Sequence, residues 1–231
     1  MAKRPDFEIG GFQVPAGTRR TVDLPVSVLS DHTPVTMSAH VIHGAKDGPA
    51  LFVSAAIHGD EVIGVEIARR LLRSRKFSRL RGTLIVVPIV NAFGLLNRSR
   101  YLPDRRDLNR CFPGSEAGSL ASRLAKLFMT EVVARCDLGI DLHSAAIHRT
   151  NMPQIRVHLE NQQAAELAQA FGVPLVIDAP IRDGSLRGAG DDLDIPIITY
   201  EAGEALRFDE PAIATGVKGV RNVMTHLQML P

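Results

Sequence analysis

A continuous apolar run, residues 49–57, is the feature that most restricts the fold. The run reads Pro49-Ala-Leu-Phe-Val-Ser-Ala-Ala-Ile57 and lies between Lys46-Asp-Gly and His58-Gly. Unbroken apolar runs of this length are typical of strands buried on both faces, as in parallel sheets. A helix is predicted from Glu61 to Leu72, where apolar positions recur at helical spacing, and a second apolar strand at 82–90. The order strand, helix, strand predicts a parallel crossover.

The rest of the chain continues this alternation. Residues 20–43 alternate short β-prone runs with turn residues, which predicts an antiparallel opening. Segment 91–114 has no period and is predicted to be a long loop, whereas 183–192 is Gly-rich and predicted to be mobile. Further helices are predicted at 115–136 (capped by Ser115 or Ser119), 162–171 and 211–227, and further strands at 137–143, 173–177 and 195–201. This pattern predicts an α/β fold with a largely parallel sheet.

Composition excludes several classes of protein. Twenty-seven Lys and Arg against 25 Asp and Glu leave a charge of +2 over 231 residues, too little for a general nucleic-acid binder. No apolar run approaches the roughly 20 residues that span a bilayer. Two cysteines and a first segment without the apolar run of a signal peptide favour the cytoplasm. We expect a single catalytic domain over 1–231, with 1–45 as its β-rich N-terminal segment; a homo-oligomer stays open.

Polar residues stand at the carboxyl ends of the predicted strands. His58 and Glu61 follow the first buried strand, Asn91 the second, His143 the strand from 137, and Glu201 the strand from 195. In open α/β sheets the ligand site lies beyond these ends. Two histidines and two glutamates are therefore expected at one edge of the sheet.

Three of these residues have the chemistry of a metal site. His58 and Glu61 form an H-x-x-E pair, and adding His143 gives a His, Glu, His set used by catalytic zinc sites that keep a position for water. The alternative is structural: His58 caps the following helix and His143 is a core histidine. Such ligands do not select zinc strictly, so another divalent ion is a further alternative.

Glu201 is the candidate general base. It directly follows a strand that should be buried, and buried carboxylates are costly unless they are bound or used. Glu204, three residues on, is the rival, with a solvated loop or helix cap as its structural alternative.

The segment Arg100–Arg110 is rich in arginine. Arginine side chains pair with carboxylates and can stabilise an oxyanion. A solvated basic loop and a phosphate-binding patch are the alternatives.

Four ordered motifs resemble the succinylglutamate desuccinylase/aspartoacylase family of the zinc carboxypeptidase superfamily. They are His58-x-x-Glu61, Asp107-Leu-Asn-Arg110 followed by Phe112-Pro-Gly, Asp141-Leu-His143 and Thr199-Tyr-Glu201-Ala-Gly. The resemblance implies one zinc ion per chain, bound by His58, Glu61 and His143. It also implies a three-layer α/β/α fold with a mixed sheet. Relatives usually continue into a smaller β-rich C-terminal domain, which we do not expect in this chain.

The resemblance implies roles for four further residues. Glu201 is the general base and acid, Arg100 polarises the scissile carbonyl, and Asn109 and Arg110 bind a substrate carboxylate. Arg100 shares its loop with three other arginines that compete for its role, namely Arg98, Arg105 and Arg106. Arg149 and Arg156 are further candidates for setting specificity.

The function predicted is that of a zinc-dependent hydrolase acting on a small molecule. It would cleave the amide bond of an N-acyl amino acid or a similar small carboxylate-bearing substrate, with an ester as a further candidate. One rival is a metallocarboxypeptidase that removes a C-terminal residue with the same groups. The other is a non-catalytic module that binds a metal or a small ligand. The sequence contains no G-x-S-x-G motif, which argues against a serine hydrolase with a nucleophile elbow.

Overall fold

An eight-stranded sheet runs through the centre of the molecule. The computed structural model describes residues 4–230. In spatial order the strands are β3 (Thr18–Val28), β4 (Pro34–His43), β6 (Arg81–Val87), β5 (Lys46–Ala55), β7 (Leu138–Ala145), β10 (Ile197–Glu204), β8 (Asn151–Val157) and β9 (Leu175–Asp178). A separate hairpin contains β1 (Phe7–Ile9) and β2 (Phe12–Val14).

The centre of this sheet is parallel. β5 pairs in parallel with β6 and β7, and β7 pairs in parallel with β10. β8 and β9 are also parallel, whereas the pairs β3–β4, β4–β6 and β10–β8 are antiparallel. β7 is buried along its whole length, as a strand covered on both faces must be. The expected α/β class with a mixed, largely parallel sheet is confirmed.

Helices cover both faces of the sheet. They are α1 (Ile63–Leu72), α2 (Ala92–Leu96), α3 (Leu120–Glu131), α4 (Gln162–Phe171), α5 (Leu186–Asp191) and α6 (Glu210–His226). One core contains buried side chains of α1, α4 and α6, such as Ile67, Phe171 and Val220. The core on the other face contains Phe128 of α3, whose ring meets Phe52 of β5 edge to face. None of the helices within residues 4–230 is long and apolar enough to cross a membrane.

Two segments predicted to be irregular contain helices. The 91–114 segment holds α2 and a 3-10 turn at Leu108–Arg110. The Gly-rich 183–192 segment holds α5, because Ser185 accepts a hydrogen bond from Gly188 N and Leu186 is buried against the core. The glycines of this segment favoured a mobile loop in the sequence, so neither the Ser185 cap nor the burial of Leu186 was predicted.

One helix is shorter than the sequence indicated, and two β elements were not predicted. The helix predicted at 115–136 begins only at Leu120, after Ser119 has capped it, and ends at Glu131. β8 was not predicted, because Pro153 interrupts its alternating pattern. The β1–β2 hairpin was not predicted as a separate sheet, since each of its strands has only three residues.

Gly64 allows α1 to lie directly on the sheet. A Cβ atom at this position would lie 2.8 Å from the Cβ atoms of Ala55 and Leu142 and 2.9 Å from the Leu142 carbonyl oxygen. Because backbone cannot move aside as a side-chain tip can, the contact requires glycine. The same helix follows the loop that carries His58 and Glu61, so its position also determines theirs.

We predict that Gly64→Ala lowers the free energy of unfolding by about 1–3 kcal/mol, the usual cost of overpacking a core. Urea unfolding followed by circular dichroism measures the change. Gln169→Ala, on the exposed side of α4, is the control and should stay within about 0.5 kcal/mol of the parent. A Gly64→Ala variant as stable as the parent would contradict the close packing described.

Candidate active site

Three buried side chains from two strand ends meet at one point. His58 and Glu61 lie in the turn between β5 and α1, and His143 lies in β7. His58 Nδ1 is 2.7 Å from Glu61 Oε1, and His143 Nδ1 is 2.7 Å from Glu61 Oε2. One ligand atom from each residue lies within 4.8 Å of the others, and each residue is at most 3% exposed. The predicted set is therefore brought together.

Carboxylates hold the other nitrogen of each histidine. His58 Nε2 is 3.1 Å from Asp107 Oδ1, and His143 Nε2 is 2.6 Å from Asp141 Oδ2. Ser54 in turn donates a 2.8 Å hydrogen bond to Asp141 Oδ1. Protonated Nε2 atoms bonded to carboxylates leave both Nδ1 atoms as ligands, which is the usual outer arrangement of metal-binding histidines. The donor set and its supports fit a zinc ion.

The surrounding carboxylates favour positive charge at this point. Burial alone would raise the pKa of the Glu61 carboxyl, but the imidazoles of His143 and His58 hold it well below its usual range. Burial alone would lower the pKa of the His143 imidazole, yet Asp141 and Glu61 raise it well above its ordinary value. A cation site requires the same negative surroundings.

α2 supports the turn that carries His58. A Cβ atom on Gly59 would lie 1.9 Å from the carbonyl carbon of Gly94, so the two backbones touch. Asn91 caps α2 by accepting from Gly94 N at 2.8 Å and donates from Nδ2 to the Ile57 carbonyl at 3.3 Å. Asn91 is buried and does not line the cavity described below. α1 begins after Val62 without a side-chain cap, so His58 is not a helix cap.

Arg100 reaches the three-residue cluster. Its Nη1 lies 3.3 Å from Glu61 Oε1, and its Nη2 and Nε donate to Asp107 Oδ2 at 3.0 and 3.2 Å. Two acidic side chains therefore fix the guanidinium group beside the cluster. The competing arginines, Arg98, Arg105 and Arg106, do not line the cavity that Arg100 lines.

Asn109 and Arg110 lie on the 3-10 turn that follows Asp107. The Asp107 carboxylate caps this turn by accepting from Asn109 N at 2.9 Å. Asn109 Oδ1 accepts from Leu186 N of α5 at 2.8 Å, which joins the turn to the segment expected to be mobile. Arg110 donates to the Asn109 carbonyl oxygen and is exposed. Both side chains line the cavity.

Glu201 is next to His143 in the sheet. The two residues are register partners on the parallel strands β10 and β7. Glu201 lines the cavity, whereas Glu204 does not. Glu204 accepts from His148 N at 2.9 Å and forms an ion pair of 2.9 Å with Arg207. The rival glutamate is therefore occupied by surface contacts.

A single cavity of about 490 Å³ contains all seven candidate residues. It opens at the carboxyl edge of the parallel strands, as expected for an open α/β sheet. Its wall is rich in arginine: Arg100, Arg110, Arg149, Arg156, Arg182 and Arg187. No role was predicted for the carboxylates of Asp107 and Asp141, although both lie inside the motifs that resemble the family. Asp141 is two residues before His143, and this short spacing is the signal that could have identified it. Asp107 lies 49 residues from His58, so no local spacing indicates their contact.

Fold and site together define an α/β protein with a buried His, Glu, His cluster, which could hold a metal ion, at the carboxyl edge of the parallel strands. The family model of the succinylglutamate desuccinylase/aspartoacylase catalytic domain matches residues 47–227. The chain belongs to this family, a family of deacylases, and the resemblance seen in its motifs is confirmed.

Three relatives show the extent of the likeness. N-alpha-acetyl-L-2,4-diaminobutyric acid deacetylase of Halomonas elongata is 29% identical over 178 residues, covering 74% of this chain and 51% of the relative. The chain thus spans about half the length of this curated relative. A succinylglutamate desuccinylase/aspartoacylase from Rhodobacter sphaeroides has the same fold, with a TM-score of 0.84 at 23% identity over 92% of this chain and 66% of that one. The product-bound ectoine utilization protein EutE (DoeB) from Ruegeria pomeroyi has a TM-score of 0.83 at 26% identity, over 92% of this chain and 67% of that one.

We predict that the purified chain binds one zinc ion per molecule. The double variant His58→Ala, His143→Ala should lose it, because two of three ligands and their charge balance are removed. Elemental analysis after dialysis against zinc and then buffer measures the ratio. His226→Ala, on the exposed end of α6, should keep the metal. Equal zinc in the double variant and the parent would place the ion elsewhere.

Proposed function

We propose that this protein is a zinc-dependent hydrolase that removes the acyl group from an N-acyl amino acid. The observation that supports this most strongly is one cavity that holds a cation-ligand set, a carboxylate and a fixed arginine side by side. Membership of a deacylase family supports the same reaction class.

His58, Glu61 and His143 would hold the metal through two Nδ1 atoms and a carboxylate. When bound, zinc supplies a Lewis acid and makes water a nucleophile near neutral pH. The negative surroundings of these three residues and the two carboxylates behind the histidines support this assignment.

Glu201 is proposed as the general base and acid. Its Oε2 is contacted by the side chains of Asn151, Gln154 and Arg156 on β8. Its Oε1 has no hydrogen-bond partner within residues 4–230. Oε1 would take a proton from the attacking water and give it to the leaving amine nitrogen, which would otherwise depart as an unstable anion. One carboxylate thus serves both halves of the reaction.

Arg100 is proposed to stabilise the oxyanion that forms as the carbonyl carbon becomes tetrahedral. Its guanidinium group is held in place by Glu61 and Asp107 before substrate arrives, so little reorganisation is needed when charge develops. Asn109 and Arg110 are proposed to bind the carboxylate of the substrate. The exposed guanidinium of Arg110 at the cavity wall suits a bidentate contact with a carboxylate.

The substrate class is inferred from the cavity and from one relative. Six arginines in the wall favour a substrate that bears at least one carboxylate. The Halomonas elongata relative is a deacetylase of an acetylated diamino acid, which supports an amide of an amino acid. Two free thiols, Cys111 and Cys136, are consistent with action in the cytoplasm.

A substrate panel tests this function. We expect the zinc-loaded chain to release the free amino acid from at least one of N-acetyl-2,4-diaminobutyrate, N-acetylaspartate and N-succinylglutamate. Short peptides with free amino termini should stay intact. Proton NMR follows both the released acid and the amine. Cleavage of peptides alone would favour a metallocarboxypeptidase, and bound zinc without turnover of any member would favour a non-catalytic binding module.

We predict that Glu201→Gln lowers kcat by roughly 10²- to 10⁴-fold, the usual contribution of general acid–base catalysis. The amide retains the shape of the side chain but cannot accept the proton, so zinc content should stay unchanged. Glu204→Gln is the matched control, because Glu204 lies outside the cavity, and it should keep parental kcat. A Glu201→Gln variant with parental kcat would show that another group moves the proton.

A further inference from the structure

Three side chains of β8 converge on one oxygen of Glu201. Asn151 Nδ2 donates to Glu201 Oε2 at 2.7 Å, and Gln154 Nε2 donates to the same oxygen at 3.5 Å. Arg156 Nε lies 3.2 Å from Oε2, but its N–H is not aligned for a hydrogen bond, so this contact is an ion pair. The three contacts leave Oε1 as the free oxygen of the carboxylate.

The register of β8 against β10 produces this convergence. Gln154 is directly opposite Glu201, and Thr199 is opposite Arg156, two residues along on the same face of the antiparallel pair. Continuing with a step of two would place Met152 opposite Gly203. The structure instead pairs Asn151 with Gly203, so three residues of β8 span two of β10.

This extra residue is a β-bulge that changes which side chain meets Glu201. With the bulge, the Met152 side chain is 58% exposed and Asn151 takes the position beside the carboxylate. Gly203 has a φ of +66° at this point, a conformation that suits glycine. Bulges next to active sites commonly redirect a side chain in this way.

We propose that Asn151 is a positioning residue for Glu201, aided by Gln154 and Arg156, and that together they keep Oε1 directed at the reaction. The inference rests on the proposed role of Glu201 as the base. A free glutamate side chain samples several rotamers, and catalysis needs one of them. A single oxygen held by a short hydrogen bond from a neutral amide fixes that rotamer without supplying a competing proton acceptor.

The chemistry of the three groups suits this task. The Asn151 and Gln154 amides donate but carry no charge, and Arg156 adds a positive charge beside the carboxylate without a directed hydrogen bond. Gln154 is buried, 6% exposed, and stands behind Glu201 instead of lining the cavity. Asn151 and Arg156 line the cavity beside Glu201, so the carboxylate is constrained by Gln154 from behind and by these two residues from within the cavity wall.

Kinetics of single variants test the proposal. Asn151→Ala should lower kcat by about 10- to 100-fold, as expected for a misplaced catalytic group, with KM within about twofold and zinc content unchanged. Asn151→Asp should lower kcat further, because a second carboxylate would repel Glu201. Met152→Ala, the neighbour on the same strand with an exposed side chain, should keep the parental values.

Crystal structures of the parent, Asn151→Ala and Met152→Ala provide a readout independent of turnover. We expect Glu201 to keep one rotamer in the parent and in Met152→Ala, and to change rotamer or lose ordered density in Asn151→Ala. If the parent is active, and Asn151→Ala keeps both the parental kcat and an unmoved Glu201, the positioning role is overturned while the proposed function stands. A parent inactive on every substrate would count against the proposed function, and the Glu201 rotamers would still decide whether Asn151 positions it.

Discussion

The Glu61 carboxylate, buried between two imidazoles, is the interaction on which the site depends. Its two oxygens each lie 2.7 Å from an Nδ1 atom, one from the β5–α1 turn and one from β7. These atoms can meet only because β5 and β7 are parallel neighbours that end at the same edge of the sheet. The parallel pairing of these strands therefore brings together the three residues that could hold a metal ion.

The same register places the supporting groups. Ser54 of β5 is opposite Asp141 of β7, and the hydrogen bond between their side chains orients the carboxylate that holds His143. Several acidic groups gathered in a buried place repel one another unless positive charge is present. Metal binding and folding stability should therefore be coupled in this protein, as they are wherever ligands bind only in the folded state.

Much of this arrangement could be predicted from the sequence, because each buried strand is an apolar run that ends on a polar residue. The apolar run at 49–57 predicted β5, and the motifs placed His58, Glu61, His143 and Glu201 at one edge. What could not be predicted depends on contacts between distant segments. α5 forms in a Gly-rich stretch through packing and a serine cap, and the bulge of β8 arises only when that strand pairs with β10. The contact of Asn151 with Glu201 has no local pattern at all.

We propose that His58 and His143 each bind one shared metal ion through Nδ1 and that Glu61 binds it through its carboxylate. The most direct test is a crystal structure of the zinc-soaked protein, with diffraction data measured on both sides of the zinc absorption edge. We expect one anomalous peak about 2.0–2.2 Å from both Nδ1 atoms and from a Glu61 oxygen. A peak coordinated through Nε2, or one away from these three residues, would contradict it.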